Sequence, residues 1–375
     1  MTLGGILVPV PPLVEVTVAL EPVDSTLMSL AALREPAEYG GMDEWAVNTA
    51  AQLPTTLRER HNFWMKWLWM DTLANAVERT AAINSFPAYL DALAAEDATV
   101  LRDRLLHWLI HSVHVRLYAG TATTPATLRA DPAQLLRDGD HFAQWLLDRF
   151  TEKPLAAELA DLPAFHALLN TPEALQAQLV PHLRQMWDEF LAPEWRRIAP
   201  RLQRCVDAFQ ALELRNIPML DAMQVVTGRD LRPLFHLDVL WRYHRVRFIP
   251  AIHNGPYVVW YGDEEEVRIG FPAHEPPTHL GAGLRFDERT LVNRFKALAD
   301  ETRLAMLWAL REAGELSTQE LIDRFDLDKS AASRHLRQLV ANDLIEERRE
   351  EGAKKVYRLN DPAIDAVTRM LHGLR

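Results

Sequence analysis

The spacing of apolar positions changes period several times along this chain. Residues 13–20, LVEVTVAL, are rich in β-branched side chains and partly alternate, which predicts a first strand. From about Asp24 to Tyr243 the spacing turns helical. Asp24-Ser25 opens a short helix, and Pro54–Asn75, Asp97–Leu117, Asp131–Phe150, Pro172–Leu191, Pro193–Leu212 and Arg229–Tyr243 carry longer ones. Pro132, Pro172 and Pro193 stand near helix starts, where the missing N–H loses no bond. Phe63, Trp64, Trp67, Leu68 and Trp69 leave their helix apolar on most of its circumference, so it is expected in the core. The period then drops to two. Arg247–Ile252, Tyr257–Tyr261 and Val267–Phe271 read as short strands, with turns at Asn254-Gly255-Pro256 and Gly262-Asp263. They predict a small antiparallel meander near 246–271, joined by the first strand. FPAHEPPTHLGAG, Phe271–Gly283, is rich in Pro and Gly and has no period, which places a linker over about 272–288.

Beyond it the helical period returns in short, well-punctuated segments. Leu291–Ala299 carries Phe295 and Leu298 on one face. Asp300 caps Glu301–Ala313, and Gly314 stops it. Ser317 with Glu320 makes a capping box for Thr318–Phe325. After the turn Asp326-Leu327, Asp328 caps DKSAASRHLRQLVAN, Asp328–Asn342. Ala332, Leu336, Leu339 and Val340 form its apolar stripe. Ser330, Ser333, Arg334 and Arg337 lie off that stripe. Short side chains at the front of a helix permit close entry into a major groove, and arginines then reach phosphates or guanine edges. An ordinary amphipathic helix has the same pattern, so the surroundings decide. Ile345–Arg349 and Lys354–Leu359 flank Glu350-Glu351-Gly352-Ala353 as a β-wing, and Asp361-Pro362 opens a last helix. Helix, helix, turn, helix, hairpin is the order of a winged helix-turn-helix.

Charge sharpens this picture. The chain has 375 residues and a net charge of -11. Residues 285–375 hold 17 Lys/Arg against 17 Asp/Glu, so the whole excess of negative charge sits before them. An acidic body beside a neutral module repels non-specific DNA and leaves a local cationic face available. The single cysteine, Cys205, excludes an intramolecular disulfide and a zinc site built from cysteines. No apolar run approaches the roughly 20 residues of a membrane span, and the start has no signal-peptide pattern. A cytoplasmic protein with no membrane partner is expected.

The residues of this module carry a family resemblance. FKALADETRLAMLWALREAGELSTQELIDRFDLDKSAASRHLRQLVANDLIEERREEGAKKVYRL closely resembles the DNA-binding domain of ArsR-family bacterial regulators. The specific parts are LADETRLAML, the SRHLRQL core of the recognition helix, the following DLI, and the wing ending in VYRL. The resemblance covers about 80 residues and implies a sequence-specific transcriptional regulator, by family default a repressor. It implies a homodimer on an inverted repeat of double-stranded DNA. Ser330, Ser333, Arg334 and His335 would lie nearest to bases. Lys329 and Arg337 would reach phosphates, and the wing would add Arg348, Arg349, Lys354, Lys355 and Tyr357. Leu291–Ala299 and Ile364–Leu374, with Val367, Met370 and Leu371, resemble the helices that build the family dimer. Ser317 and Gln319 stand where metal-sensing relatives carry cysteines, and Asp361, Asp365 and His372 are a thin remnant of a second metal site. No metal and no cofactor is therefore expected.

The expected fold is mainly α with small β elements: a helical domain over 1–271, with a small antiparallel sheet, then a winged helix-turn-helix over 289–375. VRFIPAIHNGPYVVWYGDEEEVRIGFP is similar to the N-terminal extension of some larger ArsR-type regulators. His107, His111 and His114 fall at i, i+4 and i+7, a spacing compatible with metal ligation and equally with an exposed helix face. No HExxH, GxSxG or phosphate loop occurs, so no catalytic site assembles. Trp64, Trp67, Trp69, Trp108, Trp145, Trp187, Trp195 and Trp241 belong either to a plain core or to a pocket for a small-molecule effector. The second functional reading is a protein-interaction scaffold that uses the winged helix as a partner module.

Overall fold

The computed structural model describes residues 15–68, 70–111, 130–148, 159–212, 214, 219–229, 244–262, 266–274, 276, 288–349, 355–364 and 367, without the side chains of 288–291 and 349. Strand β1, Glu15–Val18, is followed by α1, Pro22–Ala32. Then come α2 Glu44–Gln52, α3 Thr55–Trp67, α4 Met70–Ala74, α5 Phe86–Ala95, α6 Ala98–His111, α7 Pro132–Arg137 and α8 Gly139–Leu147. Helices α9 Leu162–Leu169 and α10 Pro172–Met186 lead through a π-turn, Trp187–Leu191, into α11 Ala192–Gln210, and α12 is Met219–Thr227. Strands β2 Arg245–Ala251, β3 Val259–Gly262 and β4 Glu266–Pro272 complete the body. The C-terminal part holds α13 Glu288–Leu298, α14 Glu301–Ala313, β5 Glu315–Ser317, α15 Thr318–Phe325, α16 Lys329–Ala341, β6 Ile345–Arg349 and β7 Lys355–Leu359.

Mainly α with small sheets is what the fold shows, but the direction of the first sheet needs correction. Its order is β1-β2-β4-β3, with β1 parallel to β2, β2 parallel to β4, and only β3 antiparallel to β4. The turn at Asn254–Gly255 does not fold β3 back onto β2. Gly255, at φ 58°, packs against the Gly41 carbonyl, where a Cβ would fall 2.4 Å from the oxygen. The chain is thereby led past β2, and β4 inserts between the two strands. Both β2 and β4 are buried on both faces, as central strands of a mixed sheet are.

Two expected helices are each broken in two. Pro54–Asn75 divides at Leu68, where the backbone turns extended. Asp131–Phe150 divides at Asp138, whose carboxylate accepts from His141 N and starts α8 instead. The expected helix Arg229–Tyr243, with Trp241, lies outside the described residues after its first residue, as do Trp69, His114 and most of the linker and last helix.

Three hydrophobic cores hold the described residues. The first gathers α1 to α10, the second lies between the sheet and α11–α12, and the third is confined to the C-terminal part. Trp64, Trp67 and Trp145 are packed into the first core, with Trp67 stacked on Phe165 at 5.7 Å. They are buried core residues. His107 and His111 are exposed on α6, their rings stacked 4.3 Å apart. Among the described residues no three His, Cys, Asp or Glu converge as a metal cluster. No described helix is long and apolar enough to cross a membrane.

Candidate nucleic-acid interface

The C-terminal module positions α16 through local sequence chemistry. Ser317 accepts from Glu320 N while the Glu320 carboxylate accepts from Ser317 N, the reciprocal box that starts α15. Asp326 ends α15 in the left-handed region at φ 49°, and Asp328 restarts the chain by accepting from Ala331 N at 2.7 Å. Leu336 and Leu339 then join Met306, Leu307, Leu310 and Leu321 in the third core, and Ala332 of the same helix is buried. The opposite face of α16 is thereby fixed outward.

On that face Lys329, Ser330 and Arg337 are exposed, while Ser333 and Arg334 are half-buried. Arg334 Nη1 donates to Ser330 Oγ at 3.1 Å, and Arg337 Nε donates to the Ser333 carbonyl at 3.2 Å. These bonds run along the helix and hold both guanidinium groups over its outer surface. His335 is set apart from them. Its Nδ1 lies 3.6 Å from Asp300 Oδ1, and it faces the corner between α13 and α14. Burial holds its imidazole below the ordinary value, Asp300 opposes that, and Arg303 and Arg334 add to it.

The wing is a three-stranded antiparallel sheet in the order β5-β7-β6. β5 was not legible as a strand because it is only three residues long. Each described wing cation meets a carboxylate: Arg348 with Glu315 at 3.0 Å, Lys355 with Glu347 at 3.1 Å, and Arg358 with Glu346 at 2.6 Å. A surface cleft of about 430 Å³ is lined by Glu315, Glu346, Glu347, Arg348 and Arg358. The stem of the wing is therefore largely self-neutralised. Tyr357, expected on the DNA backbone, is instead a core residue at 4% exposure, directly across the strands from Glu347. Its place in the alternation of β7 turns it inward. Lys354 and the Arg349 side chain lie outside the described residues.

Sequence reasoning missed one group of residues altogether. Arg229, Tyr39, Gly40 and Tyr257 of the body reach α16 and the turn after it. They come from loops far apart in the chain, and no local pattern marks them.

A capped helix pair, an outward cationic helix and a β-wing define a winged helix-turn-helix DNA-binding module. A family model described as a helix-turn-helix domain matches residues 298–348. The arsenical resistance operon repressor of Staphylococcus xylosus is 34% identical over 76 residues, 20% of this chain and 71% of that protein. The transcriptional activator HlyU of Vibrio cholerae is 40% identical over 79 residues, 21% of this chain and 71% of that protein. The arsenic resistance transcriptional regulator ArsR1 of Pseudomonas putida is 38% identical over 80 residues, 21% of this chain and 62% of that protein. The chain belongs to the ArsR family of DNA-binding transcriptional regulators.

Proposed function

We propose that this regulator binds an inverted repeat of double-stranded DNA as a homodimer, with the N-terminal half of α16 in the major groove. The observation that carries this reading is the outward stripe Lys329, Ser330, Ser333 and Arg334 on a helix whose other face is locked in the core. Ser330, Ser333 and Arg334 read base edges, and Lys329 and Arg337 bind phosphates. Arg348, Arg349, Lys354 and Lys355 make the wing's backbone contacts. His335 holds the helix in place from the Asp300 side. Residues 289–375 act as the DNA-binding unit, 1–271 as the controlling body, and 272–288 join them.

The homodimer is supported by Val292 and Phe295 on α13 and by Leu304 and Trp308 on α14, large apolar side chains that are all exposed in the single chain. Repression in the cytoplasm is the mode we favour, with any small-molecule effector acting through the body. The body is read as non-catalytic. Ser29, His253 and Glu194 do form a hydrogen-bonded row, at 2.9 and 2.8 Å. Yet Ser29 is buried and donates to the Ser25 carbonyl, and the Trp45 ring covers His253 at 4.3 Å. The row joins α1, the β2–β3 loop and α11.

The test is an anisotropy titration of the full-length protein against duplexes enriched from a random pool, with unrelated duplex as competitor. Protection of two half-sites about 34 Å apart is expected, as for two recognition helices one turn of DNA apart. Enrichment of no duplex at any salt concentration would leave the scaffold reading in its place.

A further inference from the structure

The C-terminal half of α16 is held by the body. Arg229, two residues past α12, donates from Nε and Nη2 to Asp343 Oδ1 at 3.0 and 2.9 Å, and from Nη2 to the Val340 carbonyl. Asp343 lies in the turn that ends α16, at φ 56°. Its other oxygen is 3.6 Å from Arg294 Nη2, so one carboxylate joins an arginine of the body to an arginine of the module. On the helix itself, the Arg337 guanidinium sits 5.3 Å from the centre of the Tyr39 ring. Gly40 abuts Gln338 so closely that a Cβ there would fall 1.8 Å from its side-chain carbon. Tyr257 braces this platform: its hydroxyl donates to the Gly40 carbonyl at 3.1 Å, and its ring meets Tyr39 edge-on at 5.9 Å.

Ser330, Arg334 and Arg337 follow one another at i, i+4 and i+7 along one face. At about 1.5 Å per residue, Arg337 stands about 10 Å beyond Ser330. A major groove is about 12 Å wide, so a helix that places Ser330 over the bases brings Arg337 to the groove wall, where phosphates lie. In the structure that position is taken by Tyr39. Tyr39 covers only one face of that guanidinium, but the body segment that carries it, with Gly40 against Gln338, stands where the DNA backbone would have to pass. The body that would adjoin the duplex also carries the chain's excess negative charge.

We propose that the N-terminal body is an intramolecular clamp on the recognition helix, and that tight DNA binding requires the Arg229–Asp343 and Tyr39–Arg337 contacts to open. This rests on the reading of Ser330–Arg337 as the DNA face. The docked form is the weak-binding form, and whatever favours the undocked form raises affinity by the same factor by which DNA favours undocking.

The test uses the full-length chain in four forms: wild type, Arg229→Ala, Tyr39→Ala, and the pair Gly40→Cys with Gln338→Cys. Duplexes enriched by wild type and by Arg229→Ala serve as probes. A disulfide between the paired cysteines is expected on mild oxidation. It should abolish binding, and reductant should restore it within one sample. Arg229→Ala and Tyr39→Ala should each bind about tenfold tighter than wild type, within the usual range of such couplings. Equal affinity of the oxidised and reduced pair overturns the clamp while leaving the DNA face intact. Failure of the disulfide to form overturns the docked geometry. If no form binds any duplex, the DNA-face reading itself falls and takes the clamp with it.

Discussion

His61 Nδ1 and His182 Nε2 face each other at 3.3 Å, between two rings that are 0% and 1% exposed. The surrounding bonds assign both tautomers. Arg60 Nε donates to His182 Nδ1 at 3.2 Å, which leaves the hydrogen of His182 on Nε2, pointing at His61. His61 accepts it at Nδ1 and donates from Nε2 to the Leu30 carbonyl at 2.9 Å. Every ring nitrogen is satisfied with both imidazoles neutral, and neither can gain a proton without placing two donors face to face.

Acid should therefore weaken the body as soon as pH falls into the range where an unfolded histidine takes up a proton. Burial, opposed by the Leu30 carbonyl and helped by Arg34, holds His61 at about 4. Burial, then His61 and Arg60, hold His182 at about 3. Both values lie below that of an unfolded histidine. Unfolding thus takes up protons as pH falls below about 6.5, and this part of the stability is complete above that pH and lost toward pH 4. Urea unfolding at pH 5 should show each ring's contribution reduced by about 2 kcal/mol from its value at pH 7, because the full slope of about 1.4 kcal/mol per pH unit acts only below about 6.5. His61→Gln should flatten the slope. A pH-independent midpoint over this range would contradict the neutral pair.

The module was legible in the sequence because its signals are local. Asp300, Ser317 with Glu320, Gly314 and Asp328 all cap or stop the helices they were expected to. The orientation of Tyr357 was not legible, because a two-residue period gives alternation without saying which face is inward. In the body, turn residues marked the strands, but their order depends on Gly255 meeting a loop more than 200 residues earlier. Asp24 shows the same limit. It was read as the start of a helix, yet it is fully buried in α1, accepting from Tyr261 at 2.9 Å and pairing with Arg79 and Arg268.

Glu194 is the second acid-sensitive point. Burial alone would raise its carboxyl, but hydrogen bonds from His253 and Arg197 outweigh that and hold it at about 2. A carboxylate depressed in this way stabilises the fold above about pH 4.5 and loses its contribution as pH falls toward 2. Glu194→Ala leaves the buried His253 Nε2 without its acceptor and should cost about 3 kcal/mol at neutral pH. Glu194→Gln, which keeps an acceptor oxygen, should cost clearly less. Thermal unfolding of the two variants decides it, and equal losses would remove the special role of the hydrogen bond.

On the DNA face, Lys329 and Arg334 should separate by salt. Lys329→Ala removes an exposed cation at the helix start and should weaken binding to all duplexes alike, reducing the slope of log K against log salt by about one. Arg334→Ala should cost about 1–3 kcal/mol on the preferred duplex and relax the preference at one position of each half-site. Anisotropy titrations at three salt concentrations, against preferred and single-substituted duplexes, read both effects. If Arg334→Ala only shifted the salt slope, its role would be on phosphate and the base-reading stripe would shorten to Ser330 and Ser333.

Trp308 offers the test of assembly. It is 64% exposed and stands one turn from Leu304, itself 44% exposed, while Val292 on the preceding helix is 48% exposed. A tryptophan side chain buries 150–250 Å² when covered, about 25 cal/mol per Å², so leaving it in water sacrifices several kcal/mol of available association energy. Trp308→Glu adds a charge to that surface without touching the third core, so the module should still unfold cooperatively near the wild-type temperature. Sedimentation should find wild type dimeric and the variant shifted to monomer at micromolar concentration. The variant should bind an isolated half-site nearly as well as wild type does, and an inverted repeat far more weakly, because only the second depends on two linked recognition helices. A variant that stays dimeric would move the dimer contact off this face.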